Sequence, residues 1–556
     1  MAGWSVLAPL YHSPDEPQQA DAVMRLEEGR GWSSTTTSSL TPEGVGAFFM
    51  SPTAWIFQHN KTYTNGTIAI EYAQGRHDRP TWQDLSKIHG TSKYFQQQIV
   101  QHPPAYHWYE AVLLRAGGAA GWRWDIAVST MRLLSALLLL WLPLLAWATA
   151  WRITGSRLAG VCASIVPLAV PSLAQIGASV NNDDLLTLAG AATLLGVTCA
   201  MCGDRSKGCA LWTGGWLTVA LWTKAFALLL IPLVIVAYAA PWVRRRWQDR
   251  RSAPRVARSL LPDRRTSTLL GLSAGIAVLL GCWWYVVSEV RYGSILPPVH
   301  GLDPGASIGH DNWRFLQDAT QLMLWRWWCD IGFSEIYLPW RLVIVATVVA
   351  GALGIAALLR SRGRRLPLLM LLWPTVATYF VVVGESGLHY LHTHDEAALA
   401  GRYLYIGFTG IAAFVGAGCA VLPRKLARWS PPVLLLAALG IEAEAVHLSI
   451  DRWWRPIGGT LRQAWNAFSS WSTWPVGVLW TGIALLALAA VGATTSLLVD
   501  AFRSPAARAA LPSEHLAAAS PASPPAPSLA TVPAAGGEQV DEEPPMVSES
   551  AGSAAS

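Results

Sequence analysis

Residues 127–150 read AVSTMRLLSALLLLWLPLLAWATA, an apolar run long enough to cross a membrane as one helix. A bilayer core of ~30 Å requires about 20 such residues. Comparable runs occur at 158–177, 185–203, 268–288, 340–359, 366–384, 403–422, 431–449 and 476–498. The run 209–241 is too long for one span, and Thr223 and Lys224 divide it into two short spans. The sequence therefore predicts an all-α polytopic membrane protein with about eleven transmembrane helices.

The composition of the chain supports this class. Of the 556 residues, 52% are hydrophobic and only 14% are charged, whereas about a quarter of the residues of a soluble protein are charged. The composition excludes an ordinary soluble protein, and we expect membrane lipid, not nucleic acid, as a partner. The abundance of Arg, Ala and Trp is typical of a bacterial protein, which favours the cell envelope as its location.

Basic loops orient the predicted spans, because short loops rich in Lys and Arg stay in the cytoplasm. These loops lie at 152–157, 205–207, 244–265, 360–365 and 424–428. They alternate with the eleven spans and leave a second set of loops outside, at 11–126, 289–339, 385–402 and 450–475. We therefore predict a multi-pass protein of the plasma membrane with a cytoplasmic C-terminus.

The orientation divides the chain into six predicted regions. These are a remnant of a first transmembrane helix at 1–10, a helical extracytoplasmic loop with an acidic motif at 11–126, a transmembrane core with a second acidic motif at 127–241, a basic cytoplasmic loop at 242–267, transmembrane helices with outer loops at 268–498, and a cytoplasmic tail at 499–556. The first region is too short to cross, so we expect a twelve-span parent; a naturally external N-terminus is the alternative. The tail is rich in Ala, Pro and Ser and is expected to be disordered.

The first acidic motif is SPDEP at 13–17, directly after the apolar N-terminal residues. Its adjacent carboxylates, Asp15 and Glu16, lie at the lipid boundary, where a charge is costly unless it has a role. A structural interpretation stays open. The Ser, Pro and Glu of the motif would form a capping box for a helix over 18–28, and the helix dipole favours Asp15 near its start.

The second acidic motif is NNDD at 181–184, between two predicted spans. It would serve as a polar turn in which an aspartate caps the following helix, or as part of a binding site. Four consecutive polar side chains are more than a turn needs. We therefore predict that Asp183 and Asp184 contact a substrate.

Three further segments carry candidate binding residues. His102, in QHPPAY, either donates to a phosphate or carboxylate or belongs to an interfacial turn. Lys224 interrupts an apolar hairpin, and a lysine within the membrane indicates a functional residue. The alternative is that its side chain snorkels to the interface. Arg402 and Tyr403 begin a span in the motif GRY. One Lys and one Arg at one leaflet suit an anionic lipid head group.

A group of possible metal ligands lies near residue 390. It consists of His389, His392, His394, Asp395 and Glu396. Imidazole and carboxylate together suit Zn or Mn, but the spacing matches no known motif, and a solvated loop is the alternative.

The order of these motifs over residues 11–450 resembles the GT-C superfamily, and more narrowly bacterial proteins related to protein mannosyltransferases and aminoarabinose transferases. The resemblance implies a glycosyltransferase that moves a sugar, with inversion, from a polyprenyl-phosphate carrier to a saccharide, lipid or protein acceptor on the extracytoplasmic face. It also implies that Asp15 is the catalytic carboxylate with Glu16 beside it, and that Lys224 and Arg402 hold the carrier phosphate. The missing first span departs from the family pattern.

The sequence leaves alternatives open both for the cofactor and for the class of function. The charge of the leaving phosphate needs Lys, Arg or a divalent cation, so Mg or Mn, with Asp15 as a candidate ligand, is one expectation. A transporter or flippase of a lipid-linked sugar would place ionisable groups near the bilayer midplane and often shows inverted repeats. A non-catalytic scaffold for envelope assembly is the third class.

Overall fold

The computed structural model describes most of the chain. The described residues are 1–33, 39–54, 76–87, 96–252, 262–296, 312–393, 399–456 and 458–502. Residues 503–556 of the predicted tail lie outside them, as do His394, Asp395 and Glu396 of the predicted metal ligands. The last described helix, Val476–Phe502, continues four residues beyond the predicted end of its span at 498.

Nine helices of the described part are long and apolar enough to cross a membrane. They are Trp124–Thr154, Asp183–Met201, Ala225–Trp247, Arg264–Tyr292, Trp340–Arg360, Arg365–Thr393, Gly401–Ala420, Ser430–Trp453 and Val476–Phe502. The described residues contain isolated β-bridges but no strand. The predicted all-α polytopic membrane fold is therefore confirmed.

Shorter helices complete the described part of the chain. The α-helices are Ala2–Leu7, Glu16–Glu27, Pro42–Phe49, Ala105–Gly117, Arg157–Ile165, Pro171–Ile176, Lys207–Leu221, Asn312–Trp328, Arg424–Ala427 and Leu461–Trp471. Three of them lie in the first loop, for which the sequence predicts helical structure. The helix Leu230–Ser252 also extends into the predicted basic loop at 242–267.

The predicted number of eleven spans is not confirmed, because two of the predicted spans are short helices. Proline has no N–H and interrupts a helix, and Pro167 and Pro171 divide the segment 158–177 into separate short pieces. The helix Lys207–Leu221 has 15 residues. At a rise of about 1.5 Å per residue it is roughly 22 Å long, less than the ~30 Å of a bilayer core.

Two spans form the centre of the bundle. The apolar windows of Asp183–Met201 and Gly401–Ala420 are 83% and 78% buried, compared with 39% or less in the other seven. They approach closely, because a Cβ on Gly190 would lie 2.5 Å from the carbonyl oxygen of Ile406. Both central helices begin with polar motifs that the sequence singles out, so the core of the fold carries these motifs directly.

The capping box predicted at the first acidic motif is wrong. The helix Glu16–Glu27 has Asp15 as its N-cap, and no side chain caps it. Glu16 instead pairs with Arg132 of the first span, with Nε–Oε1 and Nη2–Oε2 distances of 2.7 and 2.8 Å. Both side chains are fully buried. A buried arginine needs a counter-charge, and this pair fixes the first loop to the bundle.

We expect Arg132→Ala to lower the free energy of unfolding by about 3–5 kcal/mol, because it leaves the buried Glu16 carboxylate without a counter-charge. The measurement is denaturant unfolding of the purified protein in detergent. Arg314→Ala, at an exposed pair, is the control and should change little. The double variant Arg132→Met with Glu16→Met should be more stable than Arg132→Ala. Equal stabilities of wild type and Arg132→Ala would contradict this role.

Candidate active site

Four of the predicted site residues form one chain of alternating charges. Arg402 Nη2 lies 2.7 Å from Asp15 Oδ2, and Arg402 Nε lies 3.2 Å from Asp183 Oδ2. Lys224 Nζ lies 2.7 Å from the other oxygen of Asp183. We call these four residues the charge chain. Arg402 therefore connects the first acidic motif to the second.

Three helix N-termini meet at the charge chain. Asp183 is the first residue of its span, Lys224 directly precedes the helical turn Ala225–Leu229, and Arg402 is the second residue of Gly401–Gly407. The first N–H groups of a helix have no partner within it, and they carry partial positive charge. With Lys224 and Arg402, this end of the bundle is suited to an anionic ligand.

Tyr403 and His102 border the two cations. The ammonium of Lys224 lies 4.6 Å from the centre of the Tyr403 ring, and the guanidinium carbon of Arg402 lies 5.4 Å from it, which are cation–π contacts. Burial and the nearby Lys224 charge lower the pKa of His102 well below its ordinary value. His102 is therefore neutral at physiological pH and offers a hydrogen bond, not a third positive charge.

The backbone of Asp15 is held in an uncommon conformation. Its φ is 63°, in the left-handed region that few non-glycine residues adopt. Gln98 Nε2 donates to Asp15 Oδ1 over 2.6 Å, while Arg402 binds Oδ2. Strain of this kind persists only where the surroundings impose it, so the position of the Asp15 carboxylate is determined from both sides.

His12 anchors the segment that leads to Asp15. Thr53 Oγ1 donates to the carbonyl of Leu10 over 2.9 Å, so His12 Nδ1 acts as the donor in its 3.1 Å bond to the same hydroxyl. The other ring nitrogen, Nε2, contacts the carboxylate of Glu335. Trp453 Nε1 donates to Glu335 as well, over 2.8 Å. Glu335 thus links the first loop to the end of a membrane span.

A buried polar cluster supports the second acidic motif. Tyr106 Oη accepts from the backbone N–H of Asn181 over 2.9 Å and donates to Glu110 Oε1 over 2.9 Å. Ser135 Oγ also donates to Glu110, over 3.0 Å. Asp184 is buried beside this cluster, close to Glu110, and is not a member of the charge chain. Its predicted contact with substrate stays a prediction.

The remaining predicted residues lie away from the charge chain or are otherwise engaged. Glu16 is buried with Arg132 behind Asp15. His389 and His392 are exposed near the end of the span Arg365–Thr393. Within the described residues, no three His, Cys, Asp or Glu side chains are grouped to hold a metal ion. Because these residues provide no ligand set, we derive no step through a cation, and the cofactor stays a prediction.

Sequence reasoning missed several residues that support the site. They are Gln98, Glu110, Arg132, Arg326 and Asp330. Arg132 had a usable signal, since an arginine inside an apolar span is expected to have a partner. Gln98 and Glu110 had none, because polar residues are common in a loop of this length.

The fold and this site define a multi-pass α-helical membrane protein with a buried charged centre where three of its helices begin. A family model described as a predicted membrane protein, DUF2142, matches residues 1–319. This match spans more than half of the chain, which therefore belongs to the DUF2142 family. A sequence search of curated proteins finds no match.

Solved structures of two other proteins are similar to this chain. ArnT from Cupriavidus metallidurans in the apo state has 16% identity and a TM-score of 0.45, over 90% of this chain and 72% of its own. The same protein bound to undecaprenyl phosphate gives a TM-score of 0.44, with the same identity and coverage. An oligosaccharyltransferase from Archaeoglobus fulgidus, in complex with Zn and sulfate, has 13% identity and a TM-score of 0.35, over 78% of this chain and 52% of its own.

The support cluster gives a pH-dependent prediction. Burial raises the pKa of Glu110 from 4.5 to about 8. The folded protein therefore keeps this carboxyl protonated where the unfolded chain ionises it, so its contribution to stability falls as pH rises from about 4.5 to about 8. In detergent, the melting temperature of wild type should fall over this range relative to that of Glu110→Gln, which resembles the neutral acid. If the melting temperatures of the two proteins changed in parallel with pH, a raised pKa of Glu110 would be excluded.

Proposed function

We propose that this protein is a membrane glycosyltransferase of the GT-C type, which transfers a sugar from a polyprenyl-phosphate carrier to an acceptor hydroxyl. The observation that carries the proposal is the charge chain, in which Asp15, Asp183, Lys224 and Arg402 come from four separate segments. A carboxylate beside two cations provides both parts that this reaction needs, a base and a site for the leaving phosphate.

Arg402 and Lys224 are the proposed phosphate-binding residues. A guanidinium has five N–H donors and an ammonium three, so their contacts with Asp15 and Asp183 use only part of this capacity. The helix N-termini at Asp183, Ala225 and Gly401 add positive partial charge at the same position. A phosphate diester carries one negative charge, which these groups are suited to bind.

Asp15 is the proposed general base. It accepts the proton of the acceptor hydroxyl as that oxygen attacks the anomeric carbon, and the bond from this carbon to the phosphate oxygen breaks. The electron pair of the broken bond stays on the phosphate, and Arg402 and Lys224 stabilise the charge. Direct attack from the opposite side inverts the anomeric carbon. Glu16 has an indirect role, because its pair with Arg132 positions the start of the helix Glu16–Glu27, directly after Asp15.

A lipid-borne donor accounts for the location of the charge chain. The side chains of Lys224, Asp183 and Arg402 are at most 10% exposed, whereas that of Asp15 is 27% exposed. The cations are thus suited to a carrier that arrives within the bilayer, and Asp15 to an acceptor that arrives from the aqueous side. By the charge of the loops, that side is extracytoplasmic in this proposal.

The position of the charge chain also favours an enzyme over a transporter. Transporters bind their substrates near the bilayer midplane, between discontinuous helices. Here the charged residues lie at the starts of two central helices and immediately before a third. A flippase for a lipid-linked sugar is the second candidate, since it would need the same phosphate-binding residues.

The role of Asp15 as base predicts the effect of Asp15→Asn. Sugar transfer by the reconstituted protein should fall by about 10²–10⁴-fold, because a positioned base contributes that much. Binding of the polyprenyl-phosphate donor should be retained. Asp84→Asn, at an exposed aspartate of the same loop, is the matched control. Transfer by Asp15→Asn within a few-fold of wild type would remove Asp15 from the mechanism.

The phosphate site predicts coupled losses of donor affinity. Lys224→Gln and Arg402→Gln should each weaken donor binding in nanodiscs by about 1.5–3 kcal/mol, or roughly ten- to a hundredfold. The two losses should be non-additive in the double variant, because both residues act on one phosphate. Lys224→Arg should restore little of the donor affinity, since a planar guanidinium does not replace a compact ammonium.

Two matched variants control for unspecific loss of charge. Arg341 is the exposed second residue of a span, as Arg402 is of its helix, and Lys207 begins an apolar helix at an exposed position. Arg341→Gln and Lys207→Gln should bind donor as wild type does. If Lys224→Gln and Arg402→Gln also bind donor unchanged, the phosphate site lies elsewhere and the scaffold alternative is favoured.

A further inference from the structure

A second polar group lies beside Arg402, at the end of the helix Asn312–Trp328. It consists of Arg326 and Asp330, with Ser334 and Tyr337 next to them. The Asp330 carboxylate is close enough to Arg402 for each charge to act on the other. None of these four residues belongs to the charge chain, and the mechanism proposed above does not use them.

The backbone places this group firmly beside the charge chain. A Cβ on Gly401 would overlap backbone atoms of Arg326 and Trp327, so only glycine permits this approach. Arg326 Nη1 also donates to the carbonyl of Leu399. The residue before Arg402 is therefore packed on the segment that carries Arg326, which fixes the spacing between the two polar groups.

The group has hydrogen-bonding capacity that the described part of the chain does not satisfy. Asp330 Oδ1 and Arg326 Nε are both buried atoms without a hydrogen-bond partner there. The closest approach between the two side chains, Nε to Oδ2, is 3.8 Å, too long for a hydrogen bond. Burial raises the pKa of Asp330 above its ordinary value, since Arg326 and Arg402 only partly compensate for it.

Access from outside distinguishes this pair from a sealed structural pair. The side chains of Arg326 and Asp330 are 21% and 11% exposed, whereas those of the structural pair Glu16 and Arg132 are fully buried. A ligand can thus reach the edge of the group. A buried donor beside a buried acceptor matches a hydroxyl, which accepts one hydrogen bond and donates another.

We propose that Arg326 and Asp330 form a sugar subsite, in which they bind hydroxyl groups of the donor saccharide. The inference rests on the proposed function, because the sugar is bonded through one oxygen to the phosphate that Arg402 would hold. A ring attached to that phosphate must lie next to Arg402, where this polar group is. A hydroxylated ring of the acceptor has the same chemistry and is the other source to be tested.

The experiment compares sugar-bearing and sugar-free carriers in nanodiscs. The probes are undecaprenyl phosphate and undecaprenyl phosphate linked to mannose, glucose, galactose or arabinose. For wild type, we expect at least one sugar-bearing probe to bind more tightly than undecaprenyl phosphate. In Asp330→Asn, that preference should fall at least tenfold, and the affinity for undecaprenyl phosphate should not fall, because the change removes a negative charge near Arg402. Arg326→Lys should lose the same preference, because an ammonium cannot replace the Nε–H donor.

The control lies on the same helix. Arg314 and Asp318 form another pair four residues apart, 3.7 Å from each other, but with exposed side chains. Asp318→Asn should keep the preference of wild type. A melting temperature equal to that of wild type for Asp330→Asn excludes misfolding as the cause. If Asp330→Asn does not fold, Ser334→Ala and Tyr337→Phe, which remove single neighbouring hydroxyls, should still reduce the preference.

The possible outcomes separate the subsite from the proposed function. If wild type does not bind undecaprenyl phosphate, the proposed function itself is wrong. If it binds this lipid but no sugar-bearing probe more tightly, or if the preference persists in Asp330→Asn, the subsite is wrong and the buried atoms bind water. If Asp330→Asn keeps the preference but has a higher Michaelis constant for a saccharide acceptor, the subsite binds a ring of the acceptor. That result overturns the assignment to the donor.

Discussion

The rest of the site depends on the guanidinium of Arg402 between two carboxylates. It contacts Asp15 of the first loop and Asp183 of the central span, residues that no local structure would bring together. Arg402 is itself fixed by the packing of Gly401 against the end of a neighbouring helix. The bundle therefore sets the position of the cation, and the cation sets the relation between the two acidic motifs.

Charge balance explains why this centre is stable in a largely apolar protein. An isolated buried charge costs several kcal/mol, but the charge chain contains two cations and two carboxylates and is neutral overall. The same rule accounts for Glu16, whose carboxylate is paired with the arginine of an otherwise apolar span. One of the two adjacent carboxylates of the first motif, Glu16, thus stabilises the fold, while the other, Asp15, belongs to the charge chain.

The sequence predicted the class of fold well, because apolar length is a direct signal of a membrane helix. It also selected the four residues of the charge chain, since a charge at a lipid boundary is costly and so marks a position of interest. The predicted number of spans is not confirmed, because Pro167 and Pro171 interrupt one apolar run. Sequence reasoning missed Asp330 and Gln98 because their importance depends on tertiary neighbours. It wrongly predicted a capping box at Glu16 because the local pattern fits one, while the true partner, Arg132, is distant in sequence.

Under the proposed function, the charge chain would also impose an order on the reaction. In this structure each oxygen of Asp15 accepts a hydrogen bond, one from Gln98 and one from Arg402. These two bonds hold the carboxylate in place, and Arg402 occupies Oδ2. A phosphate that draws the Arg402 guanidinium toward itself would leave Oδ2 open to the acceptor hydroxyl. Binding of the sugar carrier would then prepare the base, so that the acceptor is deprotonated only when a donor is present.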